Sequence, residues 1–471
     1  MAILGVITFS IILTFGFINA PRDWKGTRPI LSSYVVTLIG ISLYIMLPAI
    51  LILGSGNYTW AVGYYSEETF SRAIWLCTLG LSAFLFGNAI FRRYGGKTRS
   101  EIRVTPAKLA SHLPSQSADV LLLSLLGVGL ALKIFLIINT GGFENSVTRF
   151  SGYARQFSGV DLLDANSIVL RTISGIADGA ATWGVLTALR ERHLEKTWLL
   201  VLLATLALSY VTMGKRLVLL LPVLCVLIGV HIYRRSLTIR LVPLVIALSV
   251  GAGFITLMAR AFVPASVLGY DIDLGNIAYS DGSIFRFYLY SLEFSSLEMI
   301  SVAMLAGPQI IDMFGGTWNA ITTTNFEPFL YSVPRALWPQ KPDEFYDLSY
   351  GISAALGDTH FENPTVGYAS TLIGTAYLLG GIICVIIAMF ALGSLTARID
   401  FRFSCRNQTD MSIILYAIAL VVVFHLFRQG TLGWTFIVSI VQQYGTIAAL
   451  LILAMHSRTV RGDINSHTKQ S

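Results

Sequence analysis

The chain has 471 residues, of which 54% are hydrophobic and only 13% charged. A soluble globular domain carries nearer a quarter of charged residues, so this composition excludes an ordinary soluble fold and points to a multi-pass membrane protein. Net charge is +7, but the basic residues sit in short clusters between apolar runs, the placement that orients membrane helices, and a nucleic-acid partner is not expected.

A helix needs roughly 20 apolar residues to cross the hydrocarbon core. Runs meeting that test begin near Ala2, Pro29, Phe70, Ala118, Ser167, Thr197, Leu217, Leu241, Val366, Met411 and Trp434. The expected fold class is an all-α polytopic integral membrane protein with about eleven transmembrane helices. The N-terminus lacks the basic region of a cleaved signal peptide, so the first run is expected to stay. Eight spans fill residues 1–262, a long extracytoplasmic loop with short interfacial amphipathic helices fills 263–366, three more spans fill 367–456, and 457–471 form a tail.

Lys and Arg stay on the cytoplasmic side. Alternate linkers carry Arg22, Lys25 and Arg28; Arg92, Arg93, Lys97 and Arg99; Arg190, Arg192 and Lys196; Arg234, Arg235 and Arg240; Arg398, Arg402 and Arg406; then Arg458 and Arg461. Acidic residues such as Glu67, Glu68, Asp161 and Asp164 fall on the other side. The N-terminus is therefore expected outside, the C-terminus inside, and the long loop outside. Cys77, Cys225 and Cys384 lie in spans and Cys405 in an inner linker, which leaves no outer thiol for a disulfide.

Within the long loop, Phe285, Leu289, Leu292, Met299, Val302 and Leu305 recur at helical spacing, interrupted by Glu293 and Glu298. They predict an amphipathic helix that lies at the interface, re-enters the membrane or packs on the bundle. Pro334, Pro339 and Pro342 exclude a regular helix through that later part.

Two cations stand in a tight turn, Met213-Gly214-Lys215-Arg216, on the acid-rich side. A charge within a membrane helix costs roughly 2.5 to 3.5 kcal/mol on insertion scales, so the violation either serves an anion or snorkels to headgroups. Arg428 repeats the pattern at the outer end of the tenth span, with His425 on the same helix face. Arg286, Arg335 and Lys341 in the long loop, with Arg149 and Arg155 after the fourth span, add further cations. The planar guanidinium fork suits phosphate, and an arginine-ringed cavity beside a bilayer suggests a polyprenyl phosphate or diphosphate.

Candidate bases are His360, between Asp358 and Glu362, and Glu362 itself; a solvated polar turn is the other reading. Asp271-Ile-Asp273 has the spacing of a divalent-cation pair but no assignable third ligand, so no metal or other cofactor is expected. Asp178 and Arg171, seven residues apart, are expected to form an internal ion pair among small residues. No P-loop, G-x-S-x-G or H-E-x-x-H pattern occurs.

The chain resembles the Wzy-type polymerases of bacterial O-antigen, capsule or exopolysaccharide. The likeness rests on Gly214-Lys215-Arg216 with its following run to His231-Ile232-Tyr233-Arg234-Arg235, on Pro334-Arg335-Ala336-Leu337-Trp338-Pro339-Gln340-Lys341-Pro342, and on Arg428-Gln429-Gly430. It covers the chain from about residue 200 onward. The resemblance implies a metal-independent glycosyltransferase in the bacterial cytoplasmic membrane that polymerises repeat units carried on undecaprenyl diphosphate. Its partners would be the lipid-linked oligosaccharide donor and acceptor, membrane lipids and a chain-length regulator protein. On that reading Lys215, Arg216 and Arg428 grip the donor diphosphate, Arg335 and Lys341 close over the acceptor, and His360 or Glu362 takes its proton. The alternatives are an O-antigen ligase and a lipid-linked oligosaccharide flippase.

Overall fold

The structure, a computed structural model, describes residues 1–21, 29–55, 66–95, 116–139, 142, 170, 172–213, 219–247, 250–251, 296–330, 348–356, 368–405 and 410–467. Among them the regular structure is helical apart from one antiparallel bridge, Pro29 to Thr238. Seven of the helices are long and apolar enough to cross a membrane, or eight if one bent pair counts as a single span. The protein is thus an all-helical chain of multi-pass character. Helices suit a bilayer because each satisfies its backbone polar groups within itself.

In chain order the helices are α1 (Ala2–Ile18), α2 (Ser33–Ile41), a π-helical turn (Ser42–Met46), α3 (Leu47–Ser55), α4 (Glu67–Gly95) and α5 (Gln116–Asn139). Then come α6 (Ile176–Glu191), α7 (Glu195–Met213), α8 (Leu220–Tyr233), α9 (Ser296–Met313), α10 (Thr317–Asn325), α11 (Glu327–Leu330) and α12 (Leu348–Ala355). The chain closes with α13 (Thr371–Cys405), α14 (Asp410–Gln429), α15 (Leu432–Ser439) and α16 (Tyr444–His467).

Of the eleven expected spans, seven correspond to the long apolar helices. The others differ for stated reasons. Helices α1 and α8 have only 17 and 14 residues, short of the roughly 20 that a full crossing needs. The run near Ser167 gives α6, 16 residues with Asp178 in its first turn. The run from Leu241 continues into residues outside those described. The expected amphipathic helix, Phe285 to Leu305, is described only from Ser296, where α9 begins; α9 has 18 residues, runs on to Met313 and turns through 88° into α10–α11. The bend is made by Gly315 and Gly316, at φ 72° and 115°, a region open to glycine at no steric cost. Met299 and Val302 are buried as the periodicity predicts, whereas Leu305 is exposed; Glu298, read as an interruption, is buried too.

The centre of the bundle is the parallel pair α4 and α13. A Cβ on Gly87 would lie 2.2 Å from the Phe390 carbonyl oxygen, and one on Gly393 2.0 Å from that of Phe84. The backbones touch because both positions lack side chains, the usual route to tight helix packing in lipid. Asn88 bridges the pair, donating to the Gly393 carbonyl and to Thr396 Oγ1, both at 3.1 Å.

At one end of this pair Asp400 caps α2. Its Oδ1 accepts from the Ser33 N–H at 2.7 Å, the Ser33 hydroxyl at 2.8 Å and the Tyr416 hydroxyl at 2.7 Å. Its Oδ2 accepts from the Tyr34 N–H at 3.3 Å. A carboxylate at a helix N-terminus satisfies donors that have no partner within the helix. The Arg92 guanidinium lies over the Tyr34 ring. At the same end, Asp410 accepts from Arg190 at 2.5 Å and from the Tyr233 hydroxyl at 2.7 Å, and Arg234 pairs with Glu195. Described basic residues of alternate linkers thus converge on one end of the bundle.

Helix α6 is the second hub. Gly129 of α5 faces Ala177, Gly179 faces Thr446 and Ala449 of α16, Gly184 faces Trp198 of α7, and Gly229 of α8 faces Leu186. In this tight packing Asp178 meets Lys133, whose Nζ donates to Oδ2 at 3.0 Å with both side chains fully buried. Ser209 of α7 joins them, bonding Asp178 and Lys133. The ion-pair partner of Asp178 is therefore Lys133 on a neighbouring helix; the expected Arg171 lies outside the described residues.

Two predictions follow from these contacts. Gly393→Ala inserts a methyl against a carbonyl and is expected to destabilise by about 3 kcal/mol, measured by unfolding in detergent, while Gly127→Ala, which meets only open space, changes stability little. Lys133→Met leaves a buried carboxylate unpaired and is expected to cost about 3–5 kcal/mol, most of it recovered in Lys133→Met with Asp178→Leu.

Candidate functional site

Opposite the Asp400 end, α14 stops at a turn built from Gly430 and Thr431. Gly430 has φ 76°, and a Cβ there would lie 2.3 Å from Thr375 Oγ1 and 2.5 Å from the Thr371 carbonyl. This turn is therefore seated against the N-terminus of α13. On its other side the Asn325 side-chain oxygen accepts from the Leu432 N–H at 3.0 Å, Pro328 lies against Gly433, and Phe329 packs on Phe436 with centroids 4.7 Å apart. The α9–α11 segment is thus clamped to the end of the bundle where α14 stops.

Arg428, in the last turn of α14, is half-buried. Its guanidinium lies over the Tyr44 ring, 5.6 Å from the centroid. Tyr44 belongs to the π-helical turn between α2 and α3 and also packs on Phe424. A cation over an aromatic face is held by the ring quadrupole while its donor edges remain directed sideways. Single π-turns inside α-helices often mark functional positions.

His425 lies one turn deeper and is fully buried. Its Nδ1 is 2.8 Å from Ser439 Oγ, and Nε2 has no hydrogen-bond partner among the described residues. Ser439 closes α15, a half-helix of eight residues separated from α16 by a short 3₁₀ turn, Val441–Gln443. The hydroxyls of Thr371, Thr431 and Thr435 are likewise buried without partners among the described residues. Buried polar groups in native proteins are rarely left so. Five such atoms, counting Thr324 Oγ1 beside Asn325, are spread around the Gly430 turn and the half-helix that follows it.

Of the residues singled out in the sequence, the structure brings together His425 and Arg428 and adds Tyr44, Ser439 and the threonines. The threonines carried no signal in the sequence, since hydroxyl residues are common in membrane helices; the break after Ser439 contains neither proline nor a charge. Arg149, Arg155, Lys215, Arg216, Arg286, Arg335, Lys341, His360 and Glu362 lie outside the described residues, as do Asp271 and Asp273. Among the described residues no three His, Cys, Asp or Glu side chains group as metal ligands.

Compared with protein-family models, with curated proteins and with solved structures, the chain matches none of them.

The Gly430 turn gives a direct test of this construction. Gly430→Ala and Gly430→Asn are both expected to lower stability by about 2 kcal/mol or more. Asparagine tolerates the left-handed backbone, so equal losses identify the space beside Thr375, rather than the dihedral, as limiting. Unfolding midpoints in detergent provide the measurement.

Proposed function

We propose that the protein is a membrane glycosyltransferase that polymerises oligosaccharide repeat units carried on undecaprenyl diphosphate. On this reading it sits in the bacterial cytoplasmic membrane with about eleven crossings, N-terminus outside and C-terminus inside. The observation that carries the reading is Arg428, a guanidinium braced over Tyr44 at the end of the bundle opposite the converging basic linkers. That end is the outer one if the linkers obey the positive-inside rule. On this reading Lys215 and Arg216, which follow α7 in the sequence, act at the same end.

In the proposed reaction the acceptor sugar hydroxyl attacks the anomeric carbon of the donor. The bond from that carbon to the diphosphate oxygen breaks, and the electron pair leaves on the diphosphate. Arg428, Lys215 and Arg216 stabilise the growing negative charge, and fixed cations do so without reorganising during the step. The hydroxyl proton passes to His360 or Glu362, while Arg335, Lys341, Arg286, Arg149 and Arg155 position the two lipid-linked chains. No metal takes part on this reading.

The Lys133–Asp178 pair bears on the flippase alternative. These two charges lie deep in the bundle, yet they neutralise one another and are sealed from solvent, so they do not support a continuous hydrophilic path.

Arg428→Ala is expected to lower polymer formation roughly 100-fold or more, with Arg428→Lys intermediate. The readout is the ladder of surface polysaccharide at equal protein level. Single repeat units still reach the surface in the mutant if the protein is a polymerase. Loss of all capping would assign a ligase instead, and lipid-linked units trapped in the cytoplasmic leaflet a flippase. A normal ladder in Arg428→Ala overturns the diphosphate assignment.

A further inference from the structure

Helix α13 is not one rod. A Cβ on Gly80 of α4 would lie 3.3 Å from Ile373 and 3.4 Å from Met389. A continuous helix sets those two residues of α13 about 24 Å apart at 1.5 Å per residue. They reach the same point because Gly380 (φ −175°, ψ 28°) and Gly381 (φ 64°, ψ −155°) are not helical. Residues 371–379 therefore fold back along the start of 382–405 as the short arm of a hairpin, with the glycine pair at its tip.

The arm has three faces. Thr371 and Thr375, one turn apart, meet the Gly430 turn. Ile373 and Tyr377, on the opposite side, turn toward α4. Ile373 meets Gly80, and Tyr377 lines a groove of about 950 Å³ with Trp75 and Leu79 of α4, Met304 of α9 and Ile382. The groove's mouth carries Met1, Glu67, Glu68 and Arg72, and the side chains of Glu68 and Arg72 are largely in the open. The third face, Gly374 and Leu378, rests on α9 at Ile300 and Gly307. The arm is thus the partition between an open groove and the Gly430 turn.

This closed position is strained at both ends of the arm. Gly381 occupies backbone space that suits glycine alone, and Thr371 has φ 60°, which a β-branched residue rarely takes. Behind the arm, the hydroxyls of Thr371, Thr431 and Thr435 and Nε2 of His425 are buried without hydrogen-bond partners among the described residues. Burial of Ile373, 1% exposed, holds the arm shut. We propose that residues 371–379 are a gate, hinged at Gly380–Gly381 and rolling on α9, whose opening joins the groove to the Gly430 turn. One movement then frees Thr371 from its left-handed backbone and brings water to the unpartnered hydroxyls, so two states of similar energy share the arm. The gate concerns access and does not rest on the glycosyltransferase reading.

The test uses the full-length chain in lipid nanodiscs, with Cys77, Cys384 and Cys405 replaced by alanine. Cys225, fully buried, is kept to report general unfolding. Thr431→Cys, 2% exposed before substitution, is the reporter. The probe is a membrane-impermeant sulfonated maleimide, read site by site by mass spectrometry. Gly80→Cys with Ile373→Cys supplies a lock, since Ile373 Cγ1 stands 3.4 Å from the Gly80 Cβ position, within reach of a disulfide. The reporter is expected to react when the lock is reduced and to slow roughly tenfold when it is oxidised. Gly381→Ala, without the lock, penalises the closed backbone and is expected to speed the reporter roughly fivefold, with Cys225 unreactive throughout. The gate is refuted by a reporter as inert as Cys225 while the arm is free, or by equal rates with the lock open and shut. A lock that does not form contradicts the closed position itself. Reporter and Cys225 reacting in step in Gly381→Ala would mean unfolding in place of a hinge.

Discussion

The backbone contact between α4 and α13 sets the register of everything around it. Where Gly87 and Gly393 let carbonyls approach, neither helix can slide or rotate without a clash. Hydrophobic attraction between helices is weak in lipid, since the tails are as apolar as leucine, so close packing and hydrogen bonds have to supply the specificity. The contact does so with Asn88 spanning the seam. It fixes where Asp400 emerges, hence where α2 begins. It also fixes the height of Thr371, and with it the seat on which the Gly430 turn rests.

Much of the architecture was legible in the residues. Runs of apolar side chains marked the long helices because hydropathy depends only on local composition, and the spacing of Arg and Lys clusters separated the two ends. What escaped was anything decided between helices. Asp178 pointed to Arg171 by spacing along one helix, yet its partner Lys133 is 45 positions away, because helices in a bundle offer each other faces that no periodicity encodes. The half-helix α15 was hidden for a related reason. An apolar run reads as continuous whether or not the chain breaks inside it, and the break after Ser439 is held by tertiary bonds such as His425 to Ser439. Residues 263–366 were read as a loop with small helices. The α9–α11 bend depends on Gly315 and Gly316, which a hydropathy window averages away.

Carboxylates at the Asp400 end are occupied: Asp400 holds a helix start, and Asp410 holds Arg190 and Tyr233. These groups consume their hydrogen-bonding capacity in building the fold. At the Gly430 end buried hydroxyls and an imidazole nitrogen find no hydrogen-bond partner among the described residues, nor do guanidinium nitrogens of Arg92 and Arg234 at the Asp400 end. Unspent capacity of that kind costs stability, and proteins retain it where strain or incomplete pairing serves a site.

The π-helical turn from Ser42 to Met46 has a geometric consequence for how α2 and α3 are coupled. Each residue of an α-helix advances the side-chain direction by about 100°, and a π-turn takes in one residue more than an α-turn. It therefore acts as a phase shifter along a single rod. Before it, Ser33 and Tyr34 keep the azimuth that meets Asp400; within it, Tyr44 takes the azimuth that meets Arg428. Two interfaces with incommensurate angular demands are served by one continuous backbone, so either end can be retuned by substitution without rotating the other out of phase.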